Sequence, residues 1–240
     1  PFTGKGWHVH GKNGLGEVDF SEPTAQPDPR RAATFIIDTI MANPGEITLV
    51  PLGPLTNVAL AVATEPRIAE NVKEVVLMGG AASVPGNASP VAEANIRNDP
   101  EAAHIVFHAG WPVTMLGLDV TMRSVMTQDY LDRLKGADNR WTDFIHAITK
   151  FYLDYYRSIG LNDGMPVHDS SAMAYVIDPT LFETKHVYTD VDFQSEHHHG
   201  QTVPDWRGLR EREPNVHVAV DVDSERFLDL YQRRLSEARP

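Results

Sequence analysis

The sequence contains no cysteine, which excludes disulfides, zinc-thiolate sites and thiol catalysis and fits a reducing compartment such as the cytoplasm. It also has no apolar run of the roughly 18 residues that a membrane-spanning helix needs. Basic residues are scarce, because 21 Lys and Arg stand against 33 Asp and Glu, for a formal net charge of -12. Nucleic-acid phosphates and anionic membrane surfaces repel an acidic chain, so neither is expected to be a partner.

Short apolar runs alternate with helical segments along the first half of the chain. The runs at residues 46–53, 72–80 and 112–120 read as strands that are apolar on both faces. One of the intervening helices is predicted to begin with Asp99 as N-cap, followed by a proline in its first turn. This alternation is typical of parallel βαβ units. The sequence therefore predicts an α/β fold, an open and mostly parallel sheet with helices on both faces, as a single domain over residues 1–240.

The segment after the second apolar run is rich in small and polar residues. Gly80 ends the run, and Asn87, Glu93 and Asn95 follow before the next helix. Open α/β folds bind ligands beyond the carboxyl ends of their strands. If this segment is extended, Glu93 and Asn95 point to the same side, where a carboxylate and an amide suit the vicinal diol of a sugar. Composition alone leaves open a polar loop with incidental turn residues.

Histidines mark three further places. His168 and Asp169 stand side by side at a predicted loop-to-helix junction, where Asp can cap a helix or bind a hard cation and His can transfer a proton near neutral pH. His104 and His108 lie one helical turn apart, but no Glu or Asp has a fitting spacing, so they are interpreted as helix-surface residues. The three histidines at 197–199 lack the spacing of a zinc site and are interpreted as part of a solvated loop.

Together these stretches resemble one family, the calcium-dependent nucleoside hydrolases of the inosine-uridine preferring type. The motifs that carry the resemblance are VHGKNGLG, LVPLGPLTNVALA, VVLMGGA, PGNASPVAEANIRNDPEAA, LDVT, HDSSAMAYVIDP and GQTVPDW. The resemblance implies an open α/β core and an enzyme that cleaves the N-glycosidic bond of a ribonucleoside, giving ribose and a free base in purine or pyrimidine salvage. It further implies calcium as cofactor and a cytoplasmic homo-oligomer, either a dimer or a tetramer.

The resemblance also implies roles for individual residues. The positions that match ribose-contacting residues of the family are Met78, Asn87, Glu93 and Asn95. Asp169 matches a calcium ligand, and Thr56 matches a residue that offers the metal its backbone carbonyl. His168 matches the position proposed to protonate the leaving base. On the base side, His10 matches a second histidine, and Tyr156 falls near the place of an aromatic residue.

One element of the family pattern does not occur in this sequence. Family members begin with a strand and an aspartate cluster of the form Asp-x-Asp-x-Gly-x-Asp-Asp, which supplies most calcium ligands and the base that activates water. These 240 residues contain no such cluster, so the chain is expected to begin after it, without the first βαβ portion. Two hypotheses follow: a nucleoside hydrolase, or a catalytically inactive nucleoside-binding, sugar-binding or structural remnant of the same fold.

Overall fold

The computed structural model describes residues 6–21, 23–161 and 164–238. Its helices are α1 Trp7–His10, α2 Ala32–Ala42, α3 Thr56–Thr64, α4 Ile68–Asn71, α5 Ala94–Asn98, α6 Pro100–Phe107, α7 Leu118–Thr121, α8 Gln128–Lys135, α9 Arg140–Ser158, α10 Asp169–Ile177 and α11 Ser224–Ser236, with a 3-10 turn at Pro179–Leu181. Its strands are β1 Thr48–Leu49, β2 Glu74–Met78, β3 Val113–Leu116, β4 Val125–Met126, β5 Met165–Pro166, β6 Phe182–Val187, β7 Thr189–Asp192, β8 Gln201–Pro204 and β9 Val216–Val222. Within the described ranges, none of the helices is both long enough and apolar enough to cross a bilayer.

The chain divides into two compact units. The first comprises Asp28–Thr121 and His168–Val222, and the second comprises the described parts of 6–27, 122–167 and 223–238. The first unit holds a five-stranded sheet with its helices and the β7–β8 pair, while the second holds α1, α8, α9, α11 and the short β4–β5 pair. The single domain expected over the whole chain stays a prediction.

The main sheet has the strand order β1-β2-β3-β9-β6. The first four strands run parallel and β6 is antiparallel to β9. Met78 pairs with Leu116, so β2 and β3 end side by side. The predicted mostly parallel α/β sheet is confirmed, and the apolar runs at 72–80 and 112–120 contain β2 and β3. The run at 46–53 contains only the two-residue strand β1.

The sheet is covered by helices because its central strands are apolar on both faces. Val75 and Leu77 are fully buried in a core that α2, α3 and α6 share with β3 and β9. Val76, which points to the opposite face, is buried equally well, and α10 packs against both β2 and β3. Burial on both faces is what the continuous apolar runs predict.

Helix α6 begins as the sequence predicts. Asp99 is its N-cap, since Asp99 Oδ1 accepts a hydrogen bond of 3.1 Å from the backbone N–H of Ala102. Pro100 occupies the first helical position, where its missing N–H costs nothing. The side-chain oxygen and the proline together fix the point at which the loop after β2 becomes helical.

The second unit is built around the long helix α9. Asn139 and Thr142 form a capping box at its start, so two of its terminal backbone donors are satisfied locally. Asn139 Nδ2 also donates to the carbonyl oxygen of Leu235, 3.0 Å away near the end of α11. Leu153 and Tyr156 face inward and are buried. Helix α9 is therefore amphipathic.

Candidate active site

The carboxyl end of β2 is shaped by a glycine. Met78, the last residue of the strand, is 3% exposed. Gly80 has φ 88°, in the left-handed region that favours glycine. A Cβ atom on Gly80 would lie 2.6 Å from Sδ of Met115 and 3.1 Å from Cγ2 of Thr202. Both the backbone conformation and the available space therefore require glycine here.

Replacing Gly80 with alanine is expected to lower the free energy of unfolding by roughly 2–4 kcal/mol. About 1–2 kcal/mol comes from the left-handed backbone, and about 1–3 kcal/mol comes from overpacking against the buried Met115 side chain. Urea denaturation followed by circular dichroism measures the loss.

Gly110 offers a matched control for this substitution. It has the same φ of 88°, but a Cβ there meets nothing within 4 Å. Gly110→Ala should therefore lose only the backbone contribution of about 1–2 kcal/mol. Equal losses in the two variants would contradict the claim that Met115 leaves no room beside Gly80.

Glu93 is a buried carboxylate that fastens the loop to the strand end. It is 2% exposed. Its Oε2 accepts from the backbone N–H groups of Gly80 at 3.0 Å and Ile96 at 3.1 Å, and its Oε1 accepts from Asn95 N–H at 2.8 Å. Burial raises the pKa of Glu93, the three N–H donors oppose that rise, and the charge of Asp169 adds to it. Glu93 and Asp169 are thus near enough to repel each other.

Helix α5 corrects one prediction. The extended segment predicted around Glu93 and Asn95 is wrong, because Glu93 is the N-cap of α5 and Asn95 is its second residue. Asn95 Nδ2 donates to the carbonyl oxygens of Met78 at 3.1 Å and Leu52 at 3.4 Å. The two side chains nevertheless converge on the end of β2, because their hydrogen bonds anchor the start of α5 there.

Two more polar side chains hold the loop between β2 and α5. Asn87 Oδ1 accepts from Ala94 N–H at 3.0 Å. Asp119, in α7, accepts from the N–H groups of Ala82 and Ser83, each at 2.8 Å. Asp119 follows β3, so its carboxylate joins the loops that leave two neighbouring strands. Asn87 is exposed, which leaves its amide nitrogen open to a ligand.

His168 directly precedes α10. Its Nδ1 lies 2.7 Å from Oγ1 of Thr121, a fully buried residue at the end of α7. In the protonated ring both nitrogens are donors, so Nδ1–H donates to the Thr121 oxygen and Nε2–H is the proton that can be given to a ligand. The contact therefore orients a histidine that can give a proton to a ligand.

Asp169 is the first residue of α10 and reaches solvent. Nearby protein atoms still desolvate its carboxylate, and this desolvation raises its pKa. Of the residues that the structure describes, none donates a hydrogen bond to it. An accessible carboxylate without donors, beside the second carboxylate of Glu93, is a place where a hard cation is electrostatically favoured.

Thr56 opens helix α3, and its hydroxyl donates a hydrogen bond to the carboxylate of Asp99. Asp99 is also the N-cap of α6, so one carboxylate fixes the starts of two helices. Sequence patterns single out Asp99 only as a cap. Its second contact, which positions Thr56, spans 43 residues of sequence and has no local signal.

In the second unit, His10 and Tyr156 meet through a third ring. Tyr152 stacks on His10 with ring centroids 5.2 Å apart, and its hydroxyl lies 3.2 Å from that of the buried Tyr156. Desolvation lowers the pKa of His10, and the charge of His8 adds to this effect. Tyr152 is not among the site residues predicted from the sequence. Its spacing of one helical turn from Tyr156 is the sequence feature that could have indicated it.

A group of three potential metal ligands lies elsewhere in the first unit. Within the described ranges, His104, His108 and Asp190 are the one such group of His, Cys, Asp or Glu side chains. His104 Nδ1 is 2.8 Å from Asp190 Oδ1. His104 is half-buried and His108 is exposed, as expected of helix-surface residues. The expectation that they have no nearby acidic residue is wrong, because β7 supplies the carboxylate.

The chain is similar to known proteins over nearly its whole length. The family profile described as inosine-uridine preferring nucleoside hydrolase matches residues 2–229. An inosine-uridine preferring nucleoside hydrolase of Crithidia fasciculata is 44% identical over 225 residues, which are 93% of this chain and 71% of that protein. A pyrimidine-specific ribonucleoside hydrolase, RihB, of Escherichia coli O157:H7 is 40% identical over 94% of this chain and 72% of that protein. The solved structure of a purine-preferring ribonucleoside hydrolase from Gardnerella vaginalis has a TM-score of 0.90 at 35% identity, covering 96% of this chain and 73% of the other.

Proposed function

Because this chain belongs to the inosine-uridine preferring nucleoside hydrolase family, we propose that it hydrolyses the N-glycosidic bond of ribonucleosides and releases ribose and a free base. The structural observation that best supports this function is the convergence of Met78, Glu93 and Asn95 at the carboxyl end of β2. An open α/β sheet binds its ligands at that edge. The polar groups there are amides and carboxylates, which suit the hydroxyl groups of a sugar.

The ribose contacts would come from the loop that follows β2. Asn87 and Asn95 each have one end of the amide bonded to backbone, so Asn87 Nδ2 can donate to a hydroxyl and Asn95 Oδ1 can accept from one. Met78 would line the sugar. Glu93 holds the loop, and its negative charge favours the oxocarbenium-like sugar that forms as the base departs.

Asp169 and Thr56 would hold the calcium ion. The carboxylate of Asp169 is accessible and has no donor among the residues that the structure describes, and its oxygen chemistry fits a hard cation. Thr56 would contribute its backbone carbonyl, at a helix start that Asp99 fixes. These are two of the roughly 6–8 oxygens that calcium takes, with ribose hydroxyls and water among the others. When bound, calcium supplies positive charge that orients water and sugar hydroxyls.

His168 would protonate the leaving base. A purine or pyrimidine departs more readily once a ring nitrogen carries a proton, and Thr121 orients the His168 ring for that transfer. His10 and Tyr156 keep the base-side role that the family resemblance gives them. Tyr152 joins these two rings and is proposed as a third member of their cluster.

Ribose release from inosine, uridine and adenosine tests the proposal, first with added calcium and then with excess chelator. We expect release that chelator abolishes and added calcium restores. Asp169→Asn should raise the calcium concentration for half-maximal release by at least about tenfold, because it removes a charged oxygen ligand. Asp129→Asn, at an exposed carboxylate in the first turn of α8, should leave that concentration unchanged.

Other outcomes would overturn separate parts of the proposal. Ribose release that persists in chelator would support the hydrolase activity but would exclude a role for Asp169 in binding a metal. A folded protein that binds nucleoside without releasing ribose would instead be an inactive nucleoside-binding protein of the same fold. Purine and pyrimidine substrates are both included because the relatives differ in the base that their names specify.

We further propose that the protein acts in nucleoside salvage as a cytoplasmic homo-oligomer, dimeric or tetrameric. The cysteine-free sequence is compatible with a reducing compartment, and the oligomer follows from family resemblance. Size-exclusion chromatography with light scattering would measure the mass. A mass equal to one chain at micromolar concentration would exclude the oligomer.

A further inference from the structure

His104 and His108 lie at the carboxyl end of α6, away from the proposed ribose site. Helix α6 is capped by Asp99, which contacts Thr56, and it ends at Phe107, shortly before the chain enters β3. The pair therefore sits where β3 begins, whereas Met78 sits where β2 ends. Cavities of about 740 and 380 Å³ flank the cluster; His108 lines the first, and His104 and Asp190 line the second. Both cavities offer water and ions access to the three side chains.

The three side chains are spaced as metal ligands are. The ring centroids of His104 and His108 are 4.4 Å apart, and one ligand atom from each of the three residues lies within 4.8 Å of the other two. Ligands bonded about 2.1 Å from a tetrahedral ion are separated by roughly 3.4 Å. Small side-chain rotations would therefore close the cluster around one ion.

His108 is already held in the way that metal-binding histidines are held. Its Nδ1 lies 2.8 Å from the carbonyl oxygen of His104, and a carbonyl can only accept, so Nδ1 donates. The lone pair is then on Nε2, which is the arrangement that a backbone carbonyl imposes on ligating histidines. Nε2 lies 3.4 Å from the hydroxyl of Tyr188, a contact that an ion would replace.

Asp190 is also oriented by its neighbours. Its Oδ1 accepts from Val191 N–H at 2.8 Å, and its Oδ2 accepts from the Tyr188 hydroxyl at 3.3 Å. Arg210 Nη1 lies 3.7 Å from the same Oδ2 and offsets part of the negative charge. The arginine weakens the attraction for a cation, so micromolar binding is expected rather than nanomolar binding.

A plain ion pair between His104 and Asp190 is the competing explanation of these contacts. It accounts for His104 but leaves the orientation of His108 unexplained, because an ion pair needs no lone pair from a second ring. A cation held by both imidazoles and the carboxylate would use the Nε2 lone pair of His108. The position and hydrogen bonding of His108 therefore favour a metal.

We propose that His104, His108 and Asp190 bind a divalent transition-metal ion, Zn²⁺ or the chemically similar Co²⁺, Ni²⁺ or Cu²⁺. Two imidazoles and a carboxylate suit these ions and do not suit calcium, which takes oxygen ligands. Water from the adjoining cavities would complete the coordination. Because the ion joins α6 to β7 across 86 residues of sequence, it would stabilise the first unit by binding only its folded form.

Titration of the metal-free protein tests this site without any activity measurement. Calorimetry should show one saturable Zn²⁺ equivalent, thermal unfolding should shift upward with Zn²⁺, and Co²⁺ should give the visible absorption bands of a low-coordinate site. His108→Gln should weaken Zn²⁺ binding by at least about 30-fold while far-ultraviolet circular dichroism stays that of the folded protein. His104→Gln should do the same.

Two histidine variants outside the cluster serve as controls. His186→Gln removes an exposed ring that lines the same cavity as His108. His197→Gln removes an exposed ring from the run of three consecutive histidines. Both should bind Zn²⁺ like the unmodified protein. The proposal is overturned if the unmodified protein shows no saturable binding, if His108→Gln binds equally well, or if His197→Gln alone abolishes binding.

Discussion

Replacing His168 with glutamine is expected to lower kcat for inosine and uridine by about 10²–10⁴-fold, the usual contribution of a general acid. Glutamine keeps a polar side chain but cannot transfer a proton to the departing base. The His168 ring is held 2.7 Å from Thr121 Oγ1, so the wild-type proton donor is already oriented. Steady-state kinetics at saturating calcium measure the loss.

A substrate with a better leaving group distinguishes a role of His168 in proton transfer from a purely structural role. An aryl riboside with a nitrophenolate leaving group needs little protonation, so His168→Gln should hydrolyse it nearly as fast as the unmodified protein does. His186→Gln, at an exposed ring in β6, should leave both substrates unaffected. Equal loss on both substrates would show that His168 does not act as the acid, and a loss below about threefold on inosine would do the same.

Replacing Glu93 with alanine is expected to lower the free energy of unfolding by roughly 3 kcal/mol or more and to abolish ribose release. The carboxylate accepts hydrogen bonds from Gly80, Asn95 and Ile96, and each buried donor left unpaired costs about 1–3 kcal/mol. The anchor that holds the start of α5 at the strand end is lost with them. Urea denaturation and the ribose assay measure the two effects.

Glu93→Gln refines this test because it keeps the volume of the side chain. One of the two carboxylate oxygens is replaced by an NH₂ group, which cannot accept from the backbone N–H that it faces. The free energy of unfolding is therefore expected to fall by roughly 1–2 kcal/mol. Glu101→Ala, at an exposed glutamate in the first turn of α6, should change stability by no more than about 0.5 kcal/mol. If Glu93→Ala were as stable as Glu101→Ala, the buried carboxylate would have no anchoring role.

Local sequence signals predict the central part of the fold well. The apolar runs that contain β2 and β3 are buried on both faces, and a buried parallel strand is the ordinary outcome of such a run. Asp99 and its following proline predict the start of α6 correctly because capping depends only on neighbouring residues. The segment before it is mispredicted. Glu93 caps its own short helix, α5, and a five-residue helix lacks the length to show a 3.6-residue period.

Contacts between distant residues explain what the sequence does not predict. Asp190 reaches His104 from 86 residues away, so no spacing rule on α6 can include it. Asp99 reaches Thr56 in the same way. Tyr152 differs, since its helical spacing from Tyr156 is visible in the sequence while its stacking on His10 is not. Chemistry that depends on tertiary contacts has to be read from the fold.

The position of β9 in the sheet has a consequence for synthesis of the protein. β9 lies between β3 and β6, and Thr114 pairs with His217. A ribosome adds about 5–20 residues per second. Strand β9 is therefore synthesised roughly 5–20 s after β3, the strand with which it pairs. During that interval the nascent chain shows an unpaired, apolar strand edge of the kind that aggregates or is captured by chaperones. The finished protein hides this edge, so its yield in cells should depend on translation speed and chaperone supply more strongly than its measured stability suggests.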